Sequence, residues 1–166
     1  MKRSLERTAD PYRDHDVIDS RAPRFTQAVI GILAALAAAT GWWWLLALLA
    51  AQLVVGLSFG RRFCLPCLAY FELVQPLTGE GSLEDSRPPR FANMVGAVFL
   101  GAATVSYAAG LDMLGTALGA LVSALALLAS TTGFCAGCEA YKLGCRLSGR
   151  PFVSCPLPPQ PARSRG

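Results

Sequence analysis

Residues 25–60 read FTQAVIGILAALAAATGWWWLLALLAAQLVVGLSFG, and none of these 36 residues is Asp, Glu, Lys, Arg or His. An uncharged apolar run beyond about 18 residues marks a membrane span, and one span needs about 20. This run is too long for one helix and just long enough for two short ones. Gly41, followed by Trp42, Trp43 and Trp44, lies near its middle. Tryptophan prefers the membrane–water boundary, so a turn belongs there. The stretch therefore predicts a tight hairpin of two spans, Thr26–Thr40 and Trp43–Ser58. A second apolar run, Phe91 to Cys138, holds a single charge, Asp112. It divides between Gly110 and Gly115, predicting spans over Phe91–Ala109 and Thr116–Thr132 with Asp112 in the turn. The competing explanation is a buried soluble bundle. A chain of 166 residues, 53% apolar and 16% charged, has too little polar surface to cover two such runs.

Orientation follows from the basic residues. All fifteen Lys and Arg fall outside the two hairpins, within residues 2–24, 61–62, 87–90, 142–150 and 163–165. Four spans place all of these on one side, and the positive-inside rule makes that side cytoplasmic. Both termini and the middle loop are expected there. The net charge of +4 then describes a basic face beside anionic lipid and is no argument for a nucleic acid partner. Residues 1–20 read as a solvated N-terminal tail, 21–145 as the membrane domain, and 146–166 as a flexible Pro-rich C-terminal tail. Ala37–Ala39 imitate a signal-peptidase site, but a long mixed-charge leader does not, so an uncleaved start is expected.

The chain also repeats itself. Phe63-Cys64-Leu65-Pro66-Cys67-Leu68-Ala69-Tyr70 is answered 71 residues later by Phe134-Cys135-Ala136-Gly137-Cys138-Glu139-Ala140-Tyr141. The shared frame is F-C-x-x-C-x-A-Y. Ahead of each copy stands a second frame, S-R-x-P-R-F-x-(Q/N)-x-V, at Ser20–Val29 and again 66 residues on at Ser86–Val95. These frames predict a duplication, with repeat one at 21–70 and repeat two at 87–141. The second copy carries five extra residues, expected around its longer turn. Repeats of two spans each are parallel, so the expected fold is all-α, four transmembrane helices as two tandem hairpins about a pseudo-two-fold axis along the membrane normal. Both C-x-x-C phrases then end on one cytoplasmic rim, close together in a compact bundle.

Pro23 and Pro89 suit the first turn of each odd-numbered helix, where a missing N–H costs nothing. Arg24 and Arg90 follow at the boundary. Headgroup anchoring is the plain reading of both, and an anion site near the thiols is the sharper one. Gly56/Gly60 and Gly115/Gly119 have the G-x-x-x-G spacing that lets helices approach in lipid, though an Ala- and Gly-rich chain produces it by chance. The middle loop is expected over Phe71–Ser86, with Leu68–Val74 as a short interfacial helix.

The six cysteines stand at 64, 67, 135, 138, 145 and 155. C-x-x-C on a cytoplasmic face points to redox exchange or metal binding, since structural disulfides are uncommon there. Buried filler is the plain alternative, but it leaves two matched pairs unexplained. Redox chemistry needs a thiolate, which a helix N-terminus and nearby cations stabilise. Cys64, with Arg61 and Arg62 nearby and Pro66 opening a helix, is the expected nucleophile of the first pair, and Cys67 resolves it. Cys135 and Cys138 take those roles in the second, where Lys142 favours and Glu139 opposes the anion. Alternatively Cys64, Cys67, Cys135 and Cys138 form a tetrahedral four-thiolate site for zinc. His15 reads as a solvated tail residue. Asp112 reads as a turn residue, and spans without internal charge argue against an ion-coupled transporter.

The F-C-x-G-C-x-x-Y ending after an apolar helix, with the two P-R-F phrases, resembles a family of small bacterial membrane proteins, the domain of unknown function numbered 4395. The resemblance spans roughly Ile18 to Tyr141. It implies a bacterial inner-membrane location, with the second C-x-x-C characteristic and the Cys64/Cys67 pair a departure. It also implies sulfur or thiol chemistry with a thioredoxin-like or rhodanese-like partner. Beyond the bilayer and that partner, a homo-oligomer is left open. The remaining readings are a metal-binding membrane module and a scaffold with incidental cysteines.

Overall fold

The computed structural model of the chain describes residue 12, residues 17–79 and residues 81–149. His15, Cys155 and the Pro-rich tail beyond residue 149 lie outside the described residues. The elements are β1 (Val17–Asp19), α1 (Arg21–Thr40), α2 (Trp43–Phe59), α3 (Leu65–Ala69), α4 (Gln75–Thr78), β2 (Leu83–Asp85), α5 (Arg87–Ala108), α6 (Asp112–Thr132) and α7 (Ala136–Leu147). A 3₁₀ turn at Arg61–Phe63 leads into α3, and a π-helical turn at Tyr70–Val74 joins α3 to α4.

Each apolar run forms two helices, as its hydropathy requires. Gly41 ends α1 with φ of 72°, a left-handed conformation that only glycine adopts without cost, and Trp42 completes the turn into α2. The α1, α5 and α6 helices are long and apolar enough to cross a membrane, while α2 is apolar but has 17 residues. Asp112 is not in the second turn. It is the first residue of α6, where the positive end of the helix dipole favours a carboxylate. Nor do the five extra residues sit chiefly in that turn. Helices take up most of the change, α5 having 22 residues against 20 in α1 and α6 having 21 against 17 in α2, while the turn gains one residue and the link to the second C-x-x-C loses two.

The first helix of each hairpin packs most extensively against the second helix of the other, α1 on α6 and α5 on α2. Leu46, Leu49 and Leu53 of α2, Ile30, Ala34 and Ala37 of α1, Leu100 and Ala103 of α5, and Val122 of α6 form the buried core. Gly31 makes the α1–α6 approach close: a Cβ there would stand 2.8 Å from Leu127 Cγ. The Ser123 hydroxyl donates to the Gly31 carbonyl across the same contact (2.8 Å). Of the G-x-x-x-G glycines, Gly119 packs against Leu46, but Gly56 faces Cys64 and Gly60 ends α2, so this first pair is no helix–helix motif. Outward, Leu48, Val54, Val98 and Val105 are more than half exposed, a lipid-compatible surface.

Two loop expectations are corrected. Residues 17–19 are not solvated tail: Val17 and Asp19 are buried, and β1 pairs antiparallel with β2. The middle segment is helical to Thr78 and returns through β2 instead of running as open loop. The strand register is reciprocal, with Val17 opposite Asp85, Ile18 opposite Glu84 and Asp19 opposite Leu83. Positions 66 apart thus exchange places across the ladder. Asp19 and Asp85 each accept a hydrogen bond from the backbone N–H two residues on, at Arg21 and Arg87, both at 2.9 Å. The Phe25 ring meets Tyr70 at 5.8 Å, and Phe91 meets Tyr141 at 5.6 Å.

Candidate functional site

Cys64 and Cys67 lie just beyond α2, buried with Ala22, Tyr70 and Phe71. Pro66 occupies the first turn of α3, and Cys64 precedes it in extended conformation. Tyr70, three residues past Cys67, fixes this packing: its hydroxyl donates to buried Asp19 (3.0 Å), which also accepts from the Gly81 N–H (3.0 Å). The Thr26 hydroxyl lies 3.7 Å from the Cys67 sulfur. A cavity of about 410 Å³ adjoins both thiols, with Thr26, Arg61, Arg90 and Asn93 among its walls.

The pair does not polarise in the expected order. Cys64 makes no cap bond to the α3 backbone. Its thiol hydrogen-bonds Cys67, which together with burial pushes Cys64 up. Cys67 is drawn down to about 7 by that same bond from Cys64, against its own burial, with help from Thr26 and Arg61. Within the first pair, Cys67 is therefore the thiol held lower.

The second pair is arranged differently. Gly133 ends α6 and Cys135 caps α7. The backbone N–H of Cys138 donates to the Cys135 sulfur at 3.3 Å, and Gln27 Nε2 of α1 donates to it at 3.5 Å. The Cys138 thiol first, then these N–H groups, bring Cys135 down to about 6, while the same contact and burial push Cys138 up. Both sulfurs are half-buried, more open than the first pair. Glu139 and Lys142, expected to pull in opposite directions, are paired with each other at 2.6 Å. The glycine in C-x-G-C has a packing cause: a Cβ on Gly137 would stand 2.8 Å from Ala92 Cβ. This contact seats α7 on α5.

Thr26 and Gln27, adjacent on α1, thus touch one sulfur of each pair. The repeated frame contained the signal, since its Q/N position is Gln27 in one copy and Asn93 in the other. Asn93 is one methylene shorter than Gln27, and it lines both the cavity beside Cys67 and a second, apolar cavity beside Cys135. The arginines reach helix ends instead of sulfurs. Arg24 lies against Gly133 at the end of α6, and Arg90 Nη2 donates to Leu57 O in the last turn of α2 (3.4 Å). Cations at helix C-termini are favourable there. Among the described residues, no group of three or more His, Cys, Asp or Glu side chains is placed to hold a metal ion.

Apolar helices with two close C-x-x-C cysteine pairs beyond their ends define a helical, membrane-compatible protein. The chain belongs to the family described as Domain of unknown function (DUF4395), whose sequence model matches residues 18–146. No curated protein and no solved structure matches the chain.

Proposed function

We propose that the protein is a four-span protein of the bacterial inner membrane, with both termini cytoplasmic, whose Cys135/Cys138 dithiol exchanges electrons with a thioredoxin-like partner. One observation carries this reading: the Cys135 sulfur accepts from the Cys138 N–H and from Gln27, the environment a thiolate needs. The α2 helix completes the fourth span, its 17 residues covering roughly 25 Å at about 1.5 Å each. Cys67 gives the first pair a second, more buried dithiol.

In the exchange, the Cys135 thiolate attacks one sulfur of the partner's disulfide. That disulfide breaks, a mixed disulfide forms, and the partner's other sulfur leaves as a thiolate that takes a proton. Cys138 then loses its proton and attacks the Cys135 sulfur. The partner departs as a dithiol, and Cys135–Cys138 remains as a disulfide. Two electrons have moved to the partner, and the reverse sequence returns them.

The test is trapping. In the full-length protein in detergent, Cys138→Ser is expected to accumulate a mixed disulfide with an oxidised thioredoxin-like protein, and Cys135→Ser is not. Trapping that persists without Cys135 would refute the assignment.

A further inference from the structure

We propose that the apolar cavity beside Cys135 receives the ring of a lipid-borne quinone, which takes two electrons from the Cys135/Cys138 dithiol. This rests on the dithiol reading, run in the direction in which the partner reduces the Cys135–Cys138 pair, and names the final acceptor of those electrons. The cavity encloses about 120 Å³ between α1, α2, α5, α6 and the start of α7. An apolar cavity of about 150 Å³ holds benzene, so this smaller space, open on one side, takes the edge of one six-membered ring and leaves its substituents outside. Three of its wall residues, Phe99, Leu121 and Leu125, are 37%, 45% and 42% exposed on α5 and α6. Those two helices are long and apolar enough to span a membrane, so this side of the cavity faces lipid. A ligand arriving through that side travels in the bilayer.

The other end of the cavity is polar. Cys135, Gln27 and Asn93 line it, and Gln27 already touches the Cys135 sulfur. Carboxamide N–H groups suit the carbonyl oxygens of a quinone, and Phe99 is an aromatic residue in the cavity wall. A two-electron donor, amide donors and an apolar space that takes a ring edge thus meet at a lipid-facing opening. In the reaction, the Cys138 S–H bond breaks and a sulfur–sulfur bond forms between Cys135 and Cys138. Two electrons pass to the quinone, and its oxygens take the Cys138 proton and one solvent proton to give the quinol.

The experiment uses the reduced full-length protein in lipid nanodiscs with a decyl-tailed, fully substituted para-benzoquinone, whose ring has no open position for thiol addition. Quinol formation is expected in step with a Cys135–Cys138 disulfide identified by mass spectrometry. Gly96 lines the cavity, and a Cβ there meets Leu53 Cδ1 at an ordinary 3.5 Å, so Gly96→Val is chosen to fill the space beyond that Cβ. It is expected to slow quinol formation about tenfold or more. Thermal unfolding confirms that the variant is folded, and Phe99→Ala, which widens the site, gives a second loss independent of overpacking. Oxidation of the dithiol by a soluble aromatic disulfide but not by the quinone would overturn the quinone proposal and leave the dithiol reading standing. So would unchanged quinol formation in both variants, or faster oxidation by a lipid hydroperoxide than by the quinone. Failure of every oxidant to form the Cys135–Cys138 disulfide would overturn both.

Discussion

The Gln27 side chain donates to the Cys135 sulfur at 3.5 Å across 108 positions of sequence. This bond ties the first helix of one repeat to the dithiol of the other. It follows from the interleaved packing, in which α1 lies along α6 and so reaches the start of α7. Gln27→Leu removes a donor to a charged sulfur, an interaction of roughly 1.5–3 kcal/mol when buried. Half-burial reduces this, and about 1.4 kcal/mol corresponds to one pKa unit. The midpoint of Cys135 alkylation against pH is therefore expected to rise by about one unit. No change would mean that the Cys138 thiol and the backbone N–H groups hold the thiolate without Gln27.

Asp19 and Asp85 occupy matching positions but carry different loads. Asp19 is buried and accepts from Arg21 N, Tyr70 Oη and Gly81 N. Removing it strands those donors, so Asp19→Ala is expected to cost about 2–4 kcal/mol. Asp85 accepts from Arg87 N and pairs with the Arg87 side chain at an exposed edge, so Asp85→Ala is expected to cost under about 1 kcal/mol. Thermal unfolding in one detergent compares the two, and equal losses would contradict the assigned difference.

Two glycines separate packing from propensity. Gly137→Ala drives a Cβ to 2.9 Å from Ala92 Cα, and backbone contacts cannot swing aside. It is expected to destabilise by about 1–3 kcal/mol and to expose Cys138 to alkylation. Gly96→Ala has room at 3.5 Å and is expected to stabilise by up to about 1 kcal/mol through helix propensity. Unfolding midpoints that move in the same direction would refute the contrast.

The helices were legible because hydropathy and Trp42–Trp44 locate the turn without tertiary information. The repeated phrases were legible because they share five of eight and six of ten positions. The β1–β2 ladder was missed because three-residue strands carry no periodicity, although Asp19 and Asp85 extend the repeated frame by one position. The roles of Thr26 and Gln27 were hidden for another reason. A polar residue on an apolar helix declares that it needs a partner, but only the α1–α6 packing supplies which one. The inverted order in the first pair had the same origin. Cys67, unlike Cys64, faces Thr26 from α1, and sequence adjacency to Arg61 does not reveal this.

Orientation has its own check. A reporter fused after Arg150 is expected to read cytoplasmic, and one inserted at Asp112 is expected on the opposite side. The basic residues at 61–62 and 87–90 are the ground for that expectation. Opposite readouts would remove the cytoplasmic setting of the thiols.

The most direct measurement is the alkylation rate of each thiol against pH, resolved by mass spectrometry on the reduced full-length protein in nanodiscs. Cys135 is drawn down to about 6, so its rate is expected to rise through that pH and level off below pH 8, with Cys138 still unreactive there. The same sign governs stability. The part that depends on the Cys135 thiolate is complete above the unfolded-state cysteine value of about 8.5 and is lost as pH falls through about 6. In the first pair, Cys67 is expected to titrate below Cys64. A common midpoint near the ordinary cysteine value of about 8.5 for Cys135 and Cys138 would contradict the assignment of Cys135 as the attacking thiolate.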